Sequence, residues 1–280
     1  MLRFTSRSRF LGHCILTGLV GAALTTGIAA QQRASLPDFS SNQVGWIPIG
    51  GDFIEVPGEG PPLVRNDPRH PYVVNGAGAQ PTYRIADLTN PNLKPWAKER
   101  MKKDNDEVLA GKIGYTARSS CRPAGVPTFM TYSRFEPIHF LQTPQQVTMI
   151  FAGDAQVRRV YIDRPHSATP RLSWYGESVG HYEGDTLVVD TIGLNDKTFV
   201  DNYRTPHGEK LHVIERWKLI DDGNMLEVNI RVDDPDTYYE PWSGIQRFRR
   251  VQQQMREEVC AENNQHLFDY GVPVANRPDF

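Results

Sequence analysis

The sequence predicts a mainly β protein, an antiparallel barrel or sandwich preceded by an irregular N-terminal arm and carrying one helix. Three observations predict it. Beyond Cys121, apolar residues alternate with period two in short runs, with turn residues about every ten positions. One stretch, near Asn92–Gly111, has helical spacing, and the segment from Gln31 to about Pro95 is punctuated by Pro, Gly, Asn and Asp.

Residues 1–30 come first. Arg3, Arg7 and Arg9 precede an apolar run from Phe10 to Leu24, and Thr25-Thr26-Gly27-Ile28-Ala29-Ala30 follows. That order is what the export machinery reads, so a signal peptide cut after Ala29 or Ala30 is expected. The run is shorter than the roughly 20 residues a spanning helix needs, and Gly12, His13 and Gly18 interrupt it. His13 before Cys14 is not the small residue a lipid-anchor signal requires. The expected location is therefore periplasmic or secreted, with no membrane span after cleavage.

Residues 31–95 form the arm. Runs such as Val56-Pro57-Gly58-Glu59-Gly60-Pro61-Pro62 deny it long helices or strands, so its order must come from docking on the body. The helix follows: Asn92 is expected to cap it, Trp96, Met101, Val108 and Leu109 to form its apolar face, and Gly111 to end it.

The antiparallel domain is expected over 96–270. Candidate strands are Ile138–Gln142, Gln146–Ala152, Val157–Ile162, Ser173–Tyr182, Thr186–Ile192, His212–Leu219, Met225–Val232 and Trp242–Arg250. Glu183-Gly184-Asp185 and Asp221-Asp222-Gly223-Asn224 read as hairpin turns, because Gly and Asn supply the positive φ that tight turns require.

Lys and Arg total 31 against 33 Asp and Glu, and no basic stripe is present, which argues against a nucleic-acid partner. Signal removal leaves Cys121 and Cys260, a distant pair in an oxidising compartment, and a disulfide between them is expected. Two free thiols or a thiolate metal site are the alternatives. None of the eight histidines forms a His-x-His or His-Glu-x-x-His pattern, so zinc or copper stays open without a motif to support it, and no cofactor fingerprint is present, so no cofactor is expected.

Chemistry-bearing residues concentrate in three places. In the run from Trp174 to Asp190, alternation puts Tyr175, Glu177, Val179 and His181 on one face of a strand. If that face lines a cavity, a carboxylate, an imidazole and a phenol meet there; the same residues also suit a polar core or a solvent face. Gly176-Glu177-Ser178-Val179-Gly180 matches the nucleophile-elbow pattern of hydrolases, but a hairpin follows where a helix should. In the second place, Glu215 shares a face with Val213, Trp217 and Leu219. A carboxylate there must be paired, protonated or catalytic, with Arg158 or Arg159 as candidate partners. His212 lies on the opposite face, and His207 precedes a loop glycine as a candidate entrance residue. Third, Arg164 and His166 follow a strand end, where a clamp for an anionic group is expected.

The run Gly176–Asp190, with Asn195-Asp196-Lys197-Thr198, Pro206-His207, His212–Arg216 and Asp234-Pro235, resembles a widespread, largely uncharacterised family of exported bacterial proteins. The resemblance covers roughly Pro37 to Asn264 and is loosely lipocalin-like. It implies catabolism of aromatic acids by a lyase, of decarboxylation or elimination type, using acid–base residues and no organic cofactor. On this reading Glu177, His181 and Glu215 are catalytic, and Tyr175, His212, Arg164, His166 and His207 bind a small-molecule substrate. A non-catalytic carrier of an apolar ligand and a hydrolase are the alternatives.

Overall fold

The computed structural model describes residues 36–40, 44–72, 84–112, 114, 116–117, 121–131, 137–151, 156–255, 257 and 259. The expected signal peptide and Cys260 lie outside them. Strands β1 (Val44–Pro48), β2 (Ile54–Glu55), β3 (Ile138–Gln142), β4 (Gln146–Phe151), β5 (Gln156–Ile162), β6 (Glu177–Glu183), β7 (Thr186–Ile192), β8 (His212–Ile220), β9 (Met225–Asp233) and β10 (Trp242–Gln252) form one sheet. From β3 to β10 neighbours in sequence are neighbours in the sheet, and β1 pairs with both β10 and β3, which closes a nine-stranded barrel. β2 adds to the far half of β10, through Gly244 and Ile245.

The closing strand comes from the segment expected to be irregular. β1 is buried along its whole length, with Trp46 nearly inaccessible and its indole N–H donated to the Phe39 carbonyl at 2.9 Å. Five residues flanked by turn residues are too few to show a period, so sequence alone hides this strand.

All ladders but one are antiparallel. β5 and β6 run parallel, which forces a crossover: the strap Asp163–Gly176 returns the chain to the same end. Only Val160–Ile162 pair with β6, opposite Ser178–Gly180. Asp163 donates its N–H to the Gly180 carbonyl at 2.8 Å and Ile162 donates to Gln145 at 2.9 Å. By strict alternation the odd residues of β5 face β6. Pairing stops at Val160, so the N–H groups of Arg159 and Val157 face an opening in the barrel wall. The strand expected from Ser173 begins later: residues 173–176 line that opening and β6 starts at Glu177.

Side chains fill the interior. Trp46, Phe140, Met149, Leu187, Trp217 and Phe248 are all essentially unexposed, and Phe129 enters from the turn Thr128–Thr131 to stack on Trp217 at 6.3 Å. Helix α1 (Pro95–Leu109) starts with proline, whose fixed φ suits a first turn. Asn92 is not its cap: its side chain exchanges two 2.9 Å hydrogen bonds with the Glu240 backbone. The buried face is Ala97, Met101 and Asn105, while Trp96 and Leu109 are exposed. Asn105 was overlooked because it is polar, yet it clamps the backbone of Ala86 with two 3.0 Å bonds. Among the described residues no helix is long and apolar enough to cross a membrane.

Candidate functional site

Inside the barrel, β8 presents Val213, Glu215 and Trp217 to the core, the face expected for Glu215. Its carboxylate meets the Arg158 guanidinium of β5, with Nη1 donating at 3.0 and 2.9 Å to the two oxygens. The Trp217 N–H adds a bond at 3.2 Å. Arg158 donates further to Ser178 (3.1 Å) and Thr191 (2.8 Å). Burial pushes the Glu215 carboxyl up, against the pull of the guanidinium. Every strong group in this cluster has its partner within the protein, and both charged side chains are unexposed.

β6 faces the opposite way from a catalytic interior. Ser178 and Gly180 point inward, while Glu177, Val179 and His181 lie on the outer face. The cause is steric: a Cβ on Gly180 would stand 2.8 Å from the Val188 carbonyl and 2.9 Å from Val160 Cγ1, so the glycine side packs into the wall. Glu177, His181 and Glu215 therefore do not converge on one enclosed pocket. His181 is half exposed and bonds Glu183 at 3.0 Å, and Arg216 holds the other Glu183 oxygen at 2.6 Å. Ser178, the elbow serine, is buried against Arg158 and Thr191 with no histidine among its hydrogen-bond partners. Gly176 does take positive φ, but as the entry to a strand.

The outer face assembles a different group. His166, from the strap, places Nδ1 3.1 Å from Glu177 Oε1 and Nε2 2.9 Å from Asp190 Oδ1 on β7. His212 of β8 places its Nε2 2.9 Å from the same Asp190 oxygen. Ser167 donates its N–H to Glu177 Oε1 at 2.6 Å and its hydroxyl to Oε2. The Ser167 hydroxyl bond, more than any other contact, holds Glu177 below the usual carboxylate range. The His212 bond does the same for Asp190, and Asp190 in turn raises His212. Three of the expected site residues, His166, Glu177 and His212, are thus brought together, with Asp190 as the member that joins them.

Glu177 also lines the opening between β5 and the strap. This cleft has a volume of about 660 Å³, within the few-hundred to thousand Å³ range of small-molecule sites. Arg159 and Arg171 supply positive charge; Tyr161, Trp174 and Tyr175 supply aromatic surface. Tyr175 stacks on Phe151 with centroids 5.8 Å apart, which fixes that wall. Arg164, expected to clamp an anion, instead lies over the Tyr161 ring at 5.6 Å and is not part of the lining.

His207 is not at an entrance. It is buried, with Nε2 2.8 Å from the Thr198 hydroxyl and Nδ1 3.0 Å from the Gly208 carbonyl, and burial lowers its pKa. Among the described residues no group of three or more His, Cys, Asp or Glu side chains is placed to hold a metal ion. Cys121 carries no free, titrating thiol, and Cys260, its expected partner, is outside the described residues.

Sequence reasoning missed Asp190, Ser167, Arg159, Arg171 and Trp174 as site members. Asp190 carried a readable signal, the one carboxylate in strand β7 (Thr186–Ile192), next to Val188 and Val189. The cleft residues carried none, because only the parallel crossover brings the strap against β5. No family model, curated protein sequence or solved structure matches this chain.

Proposed function

We propose that the protein is an exported, cofactor-independent lyase that binds a small aromatic carboxylic acid in the wall cleft and eliminates a leaving group from it. One observation carries the reading: Arg159 and Arg171 line the same cleft as the Glu177 carboxylate and three aromatic rings. Guanidinium groups match a substrate carboxylate, and the rings match its aromatic body. Of the two lyase types, elimination fits better. Arginines stabilise the carboxylate that a decarboxylation must discharge, whereas elimination keeps it. Glu177 then takes the proton beside the leaving group, the C–H electron pair forms the new double bond, and the leaving group departs with its own bonding pair. A bound ligand that excludes water raises the basicity of Glu177.

A carrier without turnover is the second reading. It is favoured by the bonds that Glu177 already accepts on both oxygens, from Ser167 and His166. The exported location and a Cys121–Cys260 disulfide belong to both readings.

The test is incubation of the signal-cleaved protein with aromatic acids bearing a β leaving group, followed by ultraviolet absorption of the conjugated product. Glu177→Gln should lose turnover by at least about a hundredfold while still binding. Full turnover in that variant contradicts the role of Glu177, and an acid that is bound yet unchanged by the wild type selects the carrier.

A further inference from the structure

The cleft in the barrel wall has a backbone edge as well as side chains. Asp163 donates to the Gly180 carbonyl and Ile162 to Gln145, so the N–H groups of odd β5 residues point toward β6 and those of even residues toward β4. The parallel ladder begins at Val160, opposite Ser178, and its register hands the Arg159 carbonyl to the Ser178 N–H and nothing earlier. The Gly176 carbonyl, next in line on the strap, accepts instead from the Ser173 hydroxyl at 3.3 Å, and Gly176 turns away with positive φ. The Arg159 N–H and both backbone polar groups of Val157 are left on an open edge, with no hydrogen-bond partner among the described residues.

Along one edge of a strand, the carbonyl of a residue and the N–H two positions on point the same way. Val157 C=O and Arg159 N–H therefore present one acceptor beside one donor. Their complement is an N–H and a carboxyl oxygen flanking a single carbon, the arrangement that one residue of a paired strand offers. A plain carboxylate satisfies only the donor and leaves the Val157 carbonyl unpaired. The surroundings match the rest of such a ligand. Arg159 and Arg171 line the same cleft with no ion pair to any described residue, and Tyr161 and Trp174 supply rings. Arg158 is committed elsewhere, because Glu215 holds it inside the barrel.

We infer that the cleft is specific for aromatic α-amino acids, free or N-acylated: the N–H of the ligand goes to the Val157 carbonyl, its carboxylate to the Arg159 N–H and the two guanidinium groups, and its side chain to the rings. The places for the carboxylate and the ring rest on the proposed function. The backbone edge adds the requirement for an N–H donor on the carbon beside the carboxylate, and so narrows the substrate class.

Calorimetric titration of the signal-cleaved protein with L-tryptophan, N-acetyl-L-tryptophan and indole-3-propanoate tests it; the last has the same ring and carboxylate without the nitrogen on that carbon. At least one nitrogen-bearing acid should bind at least about tenfold more tightly than indole-3-propanoate, and the tighter of the two tells a free from an acylated amine. At saturation with that acid, the Arg159 amide should gain at least about tenfold protection from hydrogen exchange, while Leu226–Val228 of β9 are unchanged. Indole-3-propanoate binding as tightly as both, or an Arg159 amide whose exchange the bound acid does not slow, overturns the amino-acid specificity and leaves the carboxylate site standing. If none of the three binds, the proposed function falls and the specificity falls with it.

Discussion

Arg158 and Glu215 face each other across the barrel interior, Nη1 lying 3.0 and 2.9 Å from the two carboxylate oxygens, with neither side chain exposed. Among the described residues, both members of this ion pair are fully buried. Its remaining donors go to Ser178 and Thr191, so the network is satisfied. Removing one partner strands the other. Arg158→Met or Glu215→Leu alone should cost about 3–5 kcal/mol, and the double variant should recover much of that loss. Urea denaturation checks it; a double variant as unstable as the singles would contradict the pairing.

The glycine-rich run before the hairpin is structural. Gly180→Ala would press a methyl against the Val188 carbonyl and Val160 Cγ1, at 2.8 and 2.9 Å. Overpacking of this kind costs about 1–3 kcal/mol. Ser178→Ala should destabilise through the lost Arg158 and Thr191 bonds. Thermal unfolding reads both, and a Ser178→Ala variant that keeps full stability would count against a structural serine.

Stability should depend on pH through the outer cluster with a definite sign. Glu177 and Asp190 are lowered, so their contribution is present above the ordinary carboxylate range and lost as pH falls through their folded-state values. His212 is raised, so its contribution is complete below about 6.5 and lost as pH rises through its higher folded-state value. The stability difference between wild type and Asp190→Asn should therefore peak between about pH 4.5 and 6.5. Taking the difference cancels groups of opposite sign elsewhere, such as Asp201, which burial pushes up to about 6. A difference that is flat from pH 4 to 9 would contradict the coupling.

The proposed export predicts that the mature protein loses the mass of residues 1–30 and has its two remaining cysteines joined by a disulfide. Intact mass with and without reductant should differ by about two hydrogens, and a peptide linking Cys121 to Cys260 should appear only without reductant. Loop closure of this length is worth roughly 5 kcal/mol in the chain-entropy model.

How much of this was legible depends on where the information resides. Period-two alternation located β3 to β5 and β7 to β10 within about two residues, because each strand has one face in the core and one outside. The same alternation separated Glu215 from His212 correctly. It could pair Tyr175, Glu177 and His181 on one face but could not say which face is inside, and Gly180 decides that through contact with β5 and β7. Strand β1 was invisible because it is short and buried on both faces. The cleft was invisible for a topological reason: Arg159 is on β5 and Arg171 is on the crossover strap that follows it, and parallel pairing leaves no local signature of which strands meet.

The most direct test of the central claim is calorimetric titration of 2-naphthoate into the wild type, Arg159→Ala/Arg171→Ala and Trp174→Ala. Saturable binding at one site is expected, weakened at least about tenfold by either change, the scale of a lost charge-assisted bond or aromatic contact. Equal affinity in all three proteins would contradict a carboxylate site in the wall between β5 and the strap.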